Sequence, residues 1–285
     1  MYAQWNPPAF SYAYTNYNLG LLDPQLTGWP LTLAESNFVA IAEYNRRPGS
    51  EINQYLPAYW PITPAAGYWD TNWGWLDYHK RLIGDVQAHA GALDILLVGD
   101  SITAQWNGQF GAAWNSSWQT YYSGYTAVNI GIGGDKTQNV LWRLDHGGVQ
   151  GLQPKVCVLQ IGNNDMYYTP QTGIDAAVQG IITCVKNLRN KFPNTPIILV
   201  NVFPIVSTTG NQFFLDLKAT HDGLNALNYP AQDPMVHSLD LWNQMIQGDG
   251  TGNPALFYDG THPNATGYTL WATNMLPLVQ SLVGH

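Results

Sequence analysis

The sequence predicts an α/β fold in which short parallel strands alternate with helices. Five short runs rich in Val, Ile and Leu are almost continuously apolar, as expected of strands buried on both faces. Amphipathic stretches of helical periodicity lie between these runs. An alternation of this kind favours a parallel sheet with right-handed crossovers. The chain has 285 residues, of which 45% are hydrophobic, so it can bury a sizeable core.

The regular pattern begins near residue 70, with a helix predicted over residues 75–89. Strands are predicted at residues 94–98, 126–130, 155–161, 197–202 and 236–241. Further helices are predicted at residues 139–144, 173–192, 213–227 and 265–283. The helix at 173–192 carries a buried stripe at three- and four-residue spacing, formed by Ile174, Ala177, Val178, Ile181, Ile182, Val185 and Leu188.

Residues 1–67 have a different composition, rich in Pro, Tyr, Trp and Asn, and they show little periodicity apart from one candidate helix at 31–44. A loop of this length is unusual inside a compact domain unless it is functional. We therefore expect an irregular extension over residues 1–67 and a main domain over residues 68–285. The extension is expected to lie over the main domain or over a neighbouring subunit, which would make a homo-oligomer.

Composition narrows the possible partners and locations. The net charge is −8, so no basic surface is available for nucleic acid or an anionic membrane. No apolar run approaches the roughly 18 residues of a membrane span. The first residues lack the basic start and apolar core of a signal peptide. The protein is then cytoplasmic, or a signal has been removed. Its low charge and many Asn, Thr and Trp residues favour a secreted enzyme.

The cysteines and the aromatic residues each allow two interpretations. Cys157 and Cys184 fall in a predicted strand and a predicted helix, where buried thiols are the default, and a single disulfide is the other possibility. The 12 Trp and 17 Tyr residues exceed what a core needs. They either line a cleft that stacks on a ligand such as a sugar ring, or pack the N-terminal segment.

Four polar or glycine-rich segments follow predicted strands, and we expect them to meet because loops at the carboxyl ends of parallel strands converge. Ser101 follows the first strand, and residues 129–135 with Gly131, Gly133 and Gly134 follow the second. Residues 162–165 follow the third strand, and residues 258–263 precede the last helix. Alone, each segment has a structural explanation as a turn or a helix cap. All four at strand ends are hard to obtain by chance.

The combination fits hydrolysis by a serine. The hydroxyl needs a base within hydrogen-bond reach and the base needs an orienting partner, which His262 and Asp259, three residues apart, can supply to Ser101. The developing oxyanion needs aimed donors. The backbone N–H groups of Gly134 and Ser101 and the side chain of Asn164 are candidates.

These segments together resemble the blocks of the SGNH hydrolases, also called GDSL esterases and lipases. The resemblance rests on Gly99-Asp100-Ser101, on Gly134, on Asn164 before Asp165, and on Asp259-Gly260-Thr261-His262. Within the superfamily, residues 75–81 and 129–144 are most similar to the catalytic subunits of platelet-activating-factor acetylhydrolase and their microbial relatives. The chain departs from the family pattern at two positions, with Ile102 in place of the usual Leu and Asn163 in place of the common Thr. The lipase signature G-x-S-x-G is absent because residue 103 is Thr, which argues against the nucleophile-elbow α/β-hydrolase fold.

The resemblance implies a three-layer α/β/α, flavodoxin-like domain with a five-stranded parallel sheet. It implies a serine esterase with Ser101 as nucleophile, His262 as base, Asp259 as orienting group, and Gly134 and Asn164 in the oxyanion hole. No metal or organic cofactor is needed. We expect a small-molecule or glycan ester as substrate, most simply an acetylated carbohydrate. The alternatives are a short-chain lipid or lysophospholipid ester, or a carbohydrate-binding or assembly protein that has lost catalysis.

Overall fold

The computed structural model describes residues 75–107, 116–168 and 174–284. The predicted extension over residues 1–67 and its candidate helix at 31–44 lie outside the described residues, so the domain boundary stays a prediction. In chain order the described elements are α1 (Trp75–Ala88), β1 (Gly91–Gly99), α2 (Ser101–Ala104), α3 (Ser116–Tyr122), β2 (Ala127–Asn129), α4 (Thr137–Asp145), β3 (Leu152–Gln160), α5 (Asn163–Tyr168), α6 (Ile174–Lys191), β4 (Ile197–Val200), α7 (Gln212–Leu227), β5 (Val236–Leu239), α8 (Trp242–Met245) and α9 (Ala265–Val283), with short 3₁₀ turns at Tyr229–Ala231 and Pro254–Leu256.

The five strands form one parallel sheet in the order β2-β1-β3-β4-β5. This confirms the predicted fold class. The chain leaves β1 toward one edge of the sheet and later returns past it to β3, so the strand order reverses between these two neighbours. A crevice forms at the carboxyl ends of strands where such a reversal occurs. The loops after β1 and β3 therefore flank the expected ligand-binding crevice.

Side chains alternate between two cores on the two faces of the sheet. Leu96 and Val98 of β1 enter the core covered by α1, α4, α6 and α7. Ile95 and Leu97 enter the opposite core, which is covered by α3 and α9. The same alternation holds in residues 156–159 of β3 and in β4, which explains why these stretches are continuously apolar. Helices on both faces of one sheet make the predicted three layers.

The short helices were not predicted. α2, α3, α5 and α8 span four to seven residues each, which is too short to establish a periodic apolar stripe. Two of them, α2 and α5, begin within three residues of the ends of β1 and β3. The segments expected to be loops at the site are therefore helix N-termini in part.

The tryptophans whose surroundings are described pack in the core. Trp106 stacks on Trp271 with ring centroids 4.3 Å apart, and it forms T-shaped pairs with Trp118 and Tyr122, whose centroids lie 5.3 and 5.5 Å away. This cluster lies beside α2, because Tyr268 donates a hydrogen bond to the carbonyl of Ile102 at 2.7 Å. These rings belong to the core that α3 and α9 cover, and the two interpretations of the surplus aromatic residues stay predictions.

Two further findings concern the described residues. Cys157 and Cys184 are both buried and free, so they form no disulfide. Among the described helices, none is long and apolar enough to cross a membrane.

Candidate active site

Ser101 lies at the junction of β1 and α2. Asp100 caps α2, since its Oδ1 accepts a hydrogen bond from the Ile102 N–H at 2.9 Å. Ser101 is consequently the first residue of the helix, at the carboxyl end of a central strand. It is 9% exposed, whereas Asp100 is fully buried beneath it. The Gly-Asp-Ser segment is therefore a helix cap that also presents a serine at the crevice.

Ser101, His262 and Asp259 form a continuous hydrogen-bonded chain. His262 Nε2 lies 2.8 Å from Ser101 Oγ, and His262 Nδ1 lies 2.7 Å from Asp259 Oδ2. Because an ionised carboxylate can only accept, Nδ1 carries the hydrogen and Nε2 is left to accept from the serine hydroxyl. The imidazole is thus held in the tautomer that can remove a proton from Ser101.

Asp259 is fixed by the backbone of its own loop. Its Oδ1 accepts hydrogen bonds from the N–H groups of Thr261 and His262 at 2.9 and 2.8 Å. Burial acts to raise the pKa of Asp259, but these backbone bonds and the bond from the His262 side chain outweigh it, so the pKa lies below its ordinary value. Asp259 is therefore ionised at neutral pH. Gly260, at a φ of +92°, makes the sharp turn between Asp259 and the histidine.

Asn164 and Gly134 lie beside this chain of groups. Asn164 Nδ2 donates to the carbonyl of Asp135 at 3.0 Å and makes a longer contact of 3.3 Å to Asp100 Oδ2. Asp135 directly follows Gly134, and Asp100 directly precedes Ser101. The structure thus brings Asn164 next to both of the other segments. All five predicted site residues lie at one end of the sheet.

The neighbours of Asn164 have structural roles. Asn163 Nδ2 donates to the carbonyl of Phe203 at 2.9 Å, which ties the start of α5 to the segment after β4. Asp165 accepts from the N–H and the hydroxyl of Thr137 at 3.0 and 2.6 Å, which ties α5 to α4. Burial, the largest effect, raises the pKa of Asp165 to about 6, although these bonds from Thr137 oppose it. Only Asn164 of this triplet has its amide directed toward Asp100 and Asp135.

Sequence reasoning missed a buried ion pair behind the glycine-rich loop. Arg143 of α4 and Asp135 are both fully buried, and Arg143 Nε donates to Asp135 Oδ2 at 2.7 Å. The available signal was a single arginine inside the apolar run Val140-Leu141-Trp142-Arg143-Leu144. A charged residue is almost never fully buried without a partner, so this position pointed to a specific contact.

Tyr258 forms part of the rim of the site and was also missed. Its ring stacks on that of His262 with centroids 5.7 Å apart and an interplanar angle of 22°. Its hydroxyl donates to Gln105 Oε1 at 3.3 Å, which connects the histidine loop to the end of α2. Tyr258 is 45% exposed. It is an aromatic surface directly beside the candidate base.

Comparison with known proteins identifies the family of this chain. The model of the GDSL-like lipase/acylhydrolase family matches residues 97–270, more than half of the chain. The chain belongs to this family. Membership makes it an acylhydrolase, an enzyme that hydrolyses ester bonds, and confirms the resemblance noted from the sequence. The substrate is a separate question.

Named relatives resemble the chain in sequence, and solved structures resemble it in fold. The chain is 35% identical to the alpha2 subunit of platelet-activating factor acetylhydrolase IB from Rattus norvegicus, over 73% of this chain and 85% of the relative. It is 27% identical to the alpha1 subunit from Homo sapiens, over 68% and 78%. A GDSL-like lipase from Bacteroides thetaiotaomicron has the same fold, with a TM-score of 0.56 at 18% identity over 71% of this chain and 97% of that one. An acetylxylan esterase from Geobacillus stearothermophilus also shares it, with a TM-score of 0.51 at 18% identity over 67% and 96%.

Proposed function

We propose that this acylhydrolase is a serine esterase that removes acetyl and other short acyl groups through an acyl-enzyme. The observation that carries the proposal is the hydrogen-bonded chain from Ser101 Oγ through His262 to Asp259. A hydroxyl, an imidazole and an ionised carboxylate in this order are the groups that serine hydrolases need. The intact chain speaks against the alternative of a binding protein that has lost catalysis.

In the first half-reaction, Ser101 Oγ attacks the ester carbonyl carbon while His262 Nε2 takes the hydroxyl proton. The carbonyl electron pair moves to oxygen and forms a tetrahedral oxyanion. When this intermediate collapses, the bond to the alcohol oxygen breaks and His262 returns the proton to the leaving alcohol. Asp259 stays ionised throughout and stabilises the imidazolium.

The oxyanion is stabilised by three N–H donors in this proposal. These are the backbone N–H groups of Ser101 and Gly134 and the side-chain amide of Asn164. One Asn164 hydrogen is held by the carbonyl of Asp135 at 3.0 Å. The other makes only the longer contact to Asp100, and we assign it to the oxyanion. Donors fixed in advance stabilise the developing charge without reorganisation during the reaction.

The second half-reaction reverses the first with water as nucleophile. His262 removes a proton from water, the hydroxide oxygen attacks the acyl carbon, and the oxyanion forms again in the same hole. Collapse breaks the bond to Ser101 Oγ, which recovers its proton from His262. The carboxylic acid leaves and the enzyme is restored with no net change.

The leaving alcohol is proposed to be a carbohydrate, which fits the secreted location that composition favours. The exposed ring of Tyr258 beside His262 supports this assignment, because an aromatic face at the mouth of a site can stack on a sugar ring. The acetylxylan esterase fold neighbour also supports it, and solved catalytic mutants of that enzyme replace a serine and an aspartate. The second candidate is an acetylated lipid alcohol, favoured by the names of the relatives at 27% and 35% identity. An acetyl group is common to both candidates.

Replacing the nucleophile tests the proposal. Ser101→Ala should lower turnover of p-nitrophenyl acetate by at least about a thousandfold, because removal of any triad member leaves only residual catalysis by the remaining groups. A fluorophosphonate should label the wild-type protein once and leave the variant unlabelled. Ser281→Ala, an exposed change near the end of α9, is the matched control and should keep full activity. Unchanged turnover by a folded Ser101→Ala protein would overturn the assignment.

A substrate panel separates the two alcohols. Acetylated xylan and peracetylated monosaccharides should release acetate at rates well above those for a 2-acetyl phospholipid. The Ser101→Ala protein provides the blank for each substrate. Release of acetate from the phospholipid alone would replace the carbohydrate assignment with the lipid one and leave the esterase mechanism intact.

A further inference from the structure

We infer that the buried pair Arg143–Asp135 is a positioning device for the oxyanion hole, holding Gly134 and Asn164 in place together. Neither residue would touch the substrate. The inference rests on the proposed function, since it assigns the two residues through the donors that they hold.

Arg143 connects three backbone segments that lie at the crevice. Its Nε and Nη2 lie 2.7 and 2.6 Å from Asp135 Oδ2. The terminal nitrogens also donate to the carbonyl of Ile130 at 2.5 Å and to the carbonyl of Gly99 at 3.2 Å. Gly99 ends β1 two residues before Ser101, and Ile130 directly follows β2. One side chain therefore spans the strand end that carries the nucleophile and both ends of the glycine-rich loop.

Asp135 connects the two proposed donors to each other. Its side chain is held by Arg143, and its backbone carbonyl accepts the hydrogen bond from Asn164 Nδ2 at 3.0 Å. Its own N–H donates to the carbonyl of Ile132 at 3.2 Å, which closes the turn that contains Gly134. A shift of Asp135 would therefore move the Gly134 N–H and the Asn164 amide at once.

The planar guanidinium group of Arg143 makes arginine specifically suited to this position. Guanidinium N–H groups have fixed directions, so the same side chain can bind one carboxylate and two carbonyls in a single geometry. A lysine keeps the charge but presents a point donor on a flexible stem. Arg143→Lys should therefore preserve the ion pair while loosening the loop. A displacement of catalytic groups by about 1 Å costs up to about a hundredfold in rate.

The experiment is a double-mutant cycle of Arg143→Lys and Asn164→Ala. It measures kcat and KM for p-nitrophenyl acetate and the inhibition constant of a trifluoromethyl ketone, whose carbonyl carbon bonds to Ser101 Oγ and whose oxygen becomes an oxyanion. Arg143→Lys should lower kcat by about tenfold to a hundredfold with KM within about twofold, since the donors act mainly in the transition state. The inhibition constant should rise in proportion. In the Asn164→Ala background the effect of Arg143→Lys should shrink several-fold.

Arg189→Lys is the matched control, because Arg189 also binds an aspartate and two carbonyls, those of Phe192 and Thr195. It should change the thermal midpoint without changing kcat or the inhibition constant. Asp135→Asn, which keeps the shape of the side chain, is the second variant if Arg143→Lys does not fold. Equal effects of Arg143→Lys with and without Asn164 would overturn the positioning role. Full activity of Asn164→Ala would instead overturn the oxyanion hole in the proposed function.

Discussion

At the scale of single residues, two aspartates near Ser101 have pKa values shifted in opposite directions. Burial raises the pKa of Asp100 to about 8, and the nearby carboxylates of Asp135 and Asp165 add to this effect. Asp259 has a lowered pKa because backbone and imidazole hydrogen bonds outweigh its burial. The spacing in the sequence pairs Asp259 with His262, but it does not show that the two carboxyl groups ionise differently. Their surroundings make Asp259 the ionised partner of His262 and keep Asp100 neutral near pH 7.

Asp100 should make the protein less stable as the pH rises toward 8. The folded state keeps a proton on Asp100 up to a pKa of about 8, whereas the unfolded chain loses it near pH 4, so stability falls with rising pH between these values. The slope is at most about 1.4 kcal/mol per pH unit. Asp100→Asn cannot ionise and should remove this contribution.

Urea unfolding of both proteins at pH 6.5 and pH 8 measures the difference. This pH window avoids the titration of His79. Burial lowers the pKa of His79 to about 3, so its contribution to stability changes only below about pH 6.5. The window also avoids Asp165, with a pKa of about 6. The same fall in unfolding free energy for wild type and Asp100→Asn would contradict the prediction.

Asp259→Asn should lower kcat for p-nitrophenyl acetate by about a hundredfold to ten-thousandfold, because the amide no longer selects the tautomer that leaves Nε2 free to accept. The protein should stay folded, since the asparagine oxygen can still accept from the N–H groups of Thr261 and His262. Asp85→Asn, an exposed change on α1, is the control and should leave kcat unchanged. A rate within threefold of wild type would remove Asp259 from the mechanism.

At the scale of elements, the site depends on close backbone contact between α2 and the loop after β2. Asn129 donates to the carbonyl of Thr103 at 2.7 Å and accepts from the Gly131 N–H at 2.8 Å. A Cβ on Gly131 would lie 2.6 Å from the Ala104 nitrogen and 2.9 Å from the Asp100 carbonyl oxygen. Residue 131 must therefore be glycine because another backbone segment approaches it closely, and not because its φ is positive.

Gly131→Ala should destabilise the protein by about 1–3 kcal/mol, the usual result of overpacking, and should also lower kcat because α2 carries Ser101. Gly84→Ala is the matched substitution. Gly84 lies on the exposed face of α1, and nothing lies within 4 Å of the added Cβ. Gly84→Ala should therefore stabilise the protein by about 0.5–1 kcal/mol and leave kcat unchanged. Thermal or urea unfolding with parallel kinetics compares the pair. Equal stability changes in the two variants would show that the backbone approach at Gly131 is unimportant.

At the scale of the whole molecule, the sheet brings together groups that are far apart in the chain. Ser101 and His262 are separated by 161 residues but lie within hydrogen-bond distance. β1 and β3 pair within the sheet, and the helices that follow them, α2 and α5, carry Ser101 and Asn164. The main domain over the described residues thus contains every residue of the proposed mechanism.

Residues 1–67 are predicted to modify the main domain rather than to supply catalysis. Their aromatic and proline content without periodicity motivates the prediction. A chain of residues 68–285 should keep p-nitrophenyl acetate turnover and differ from the full chain in solubility, oligomeric state or substrate range. Light scattering, sedimentation and the acetyl-ester panel compare the two chains. If the two chains have the same solubility, oligomeric state and substrate range, the extension does not have the proposed role.

Local sequence was sufficient for the framework and for the candidate residues. Strand and helix positions agree to within a few residues because their apolar periodicities are local properties of the chain. The Asp259–His262 pair was also accessible, since both residues belong to one turn. Short helices such as α2 and α5 were missed because four to six residues do not establish a period.

Tertiary structure alone decided how those residues are held. Arg143 is a positioning candidate only because folding places it under the ends of β1 and the glycine-rich loop, and Tyr258 is a rim residue only because its ring stacks on His262. Asp100 and Asp259 differ in pKa for the same reason. Burial and hydrogen bonding depend on which distant segments meet. By itself the sequence determined the parallel α/β framework and the residues of the candidate site, because strand ends and turn spacings are encoded locally.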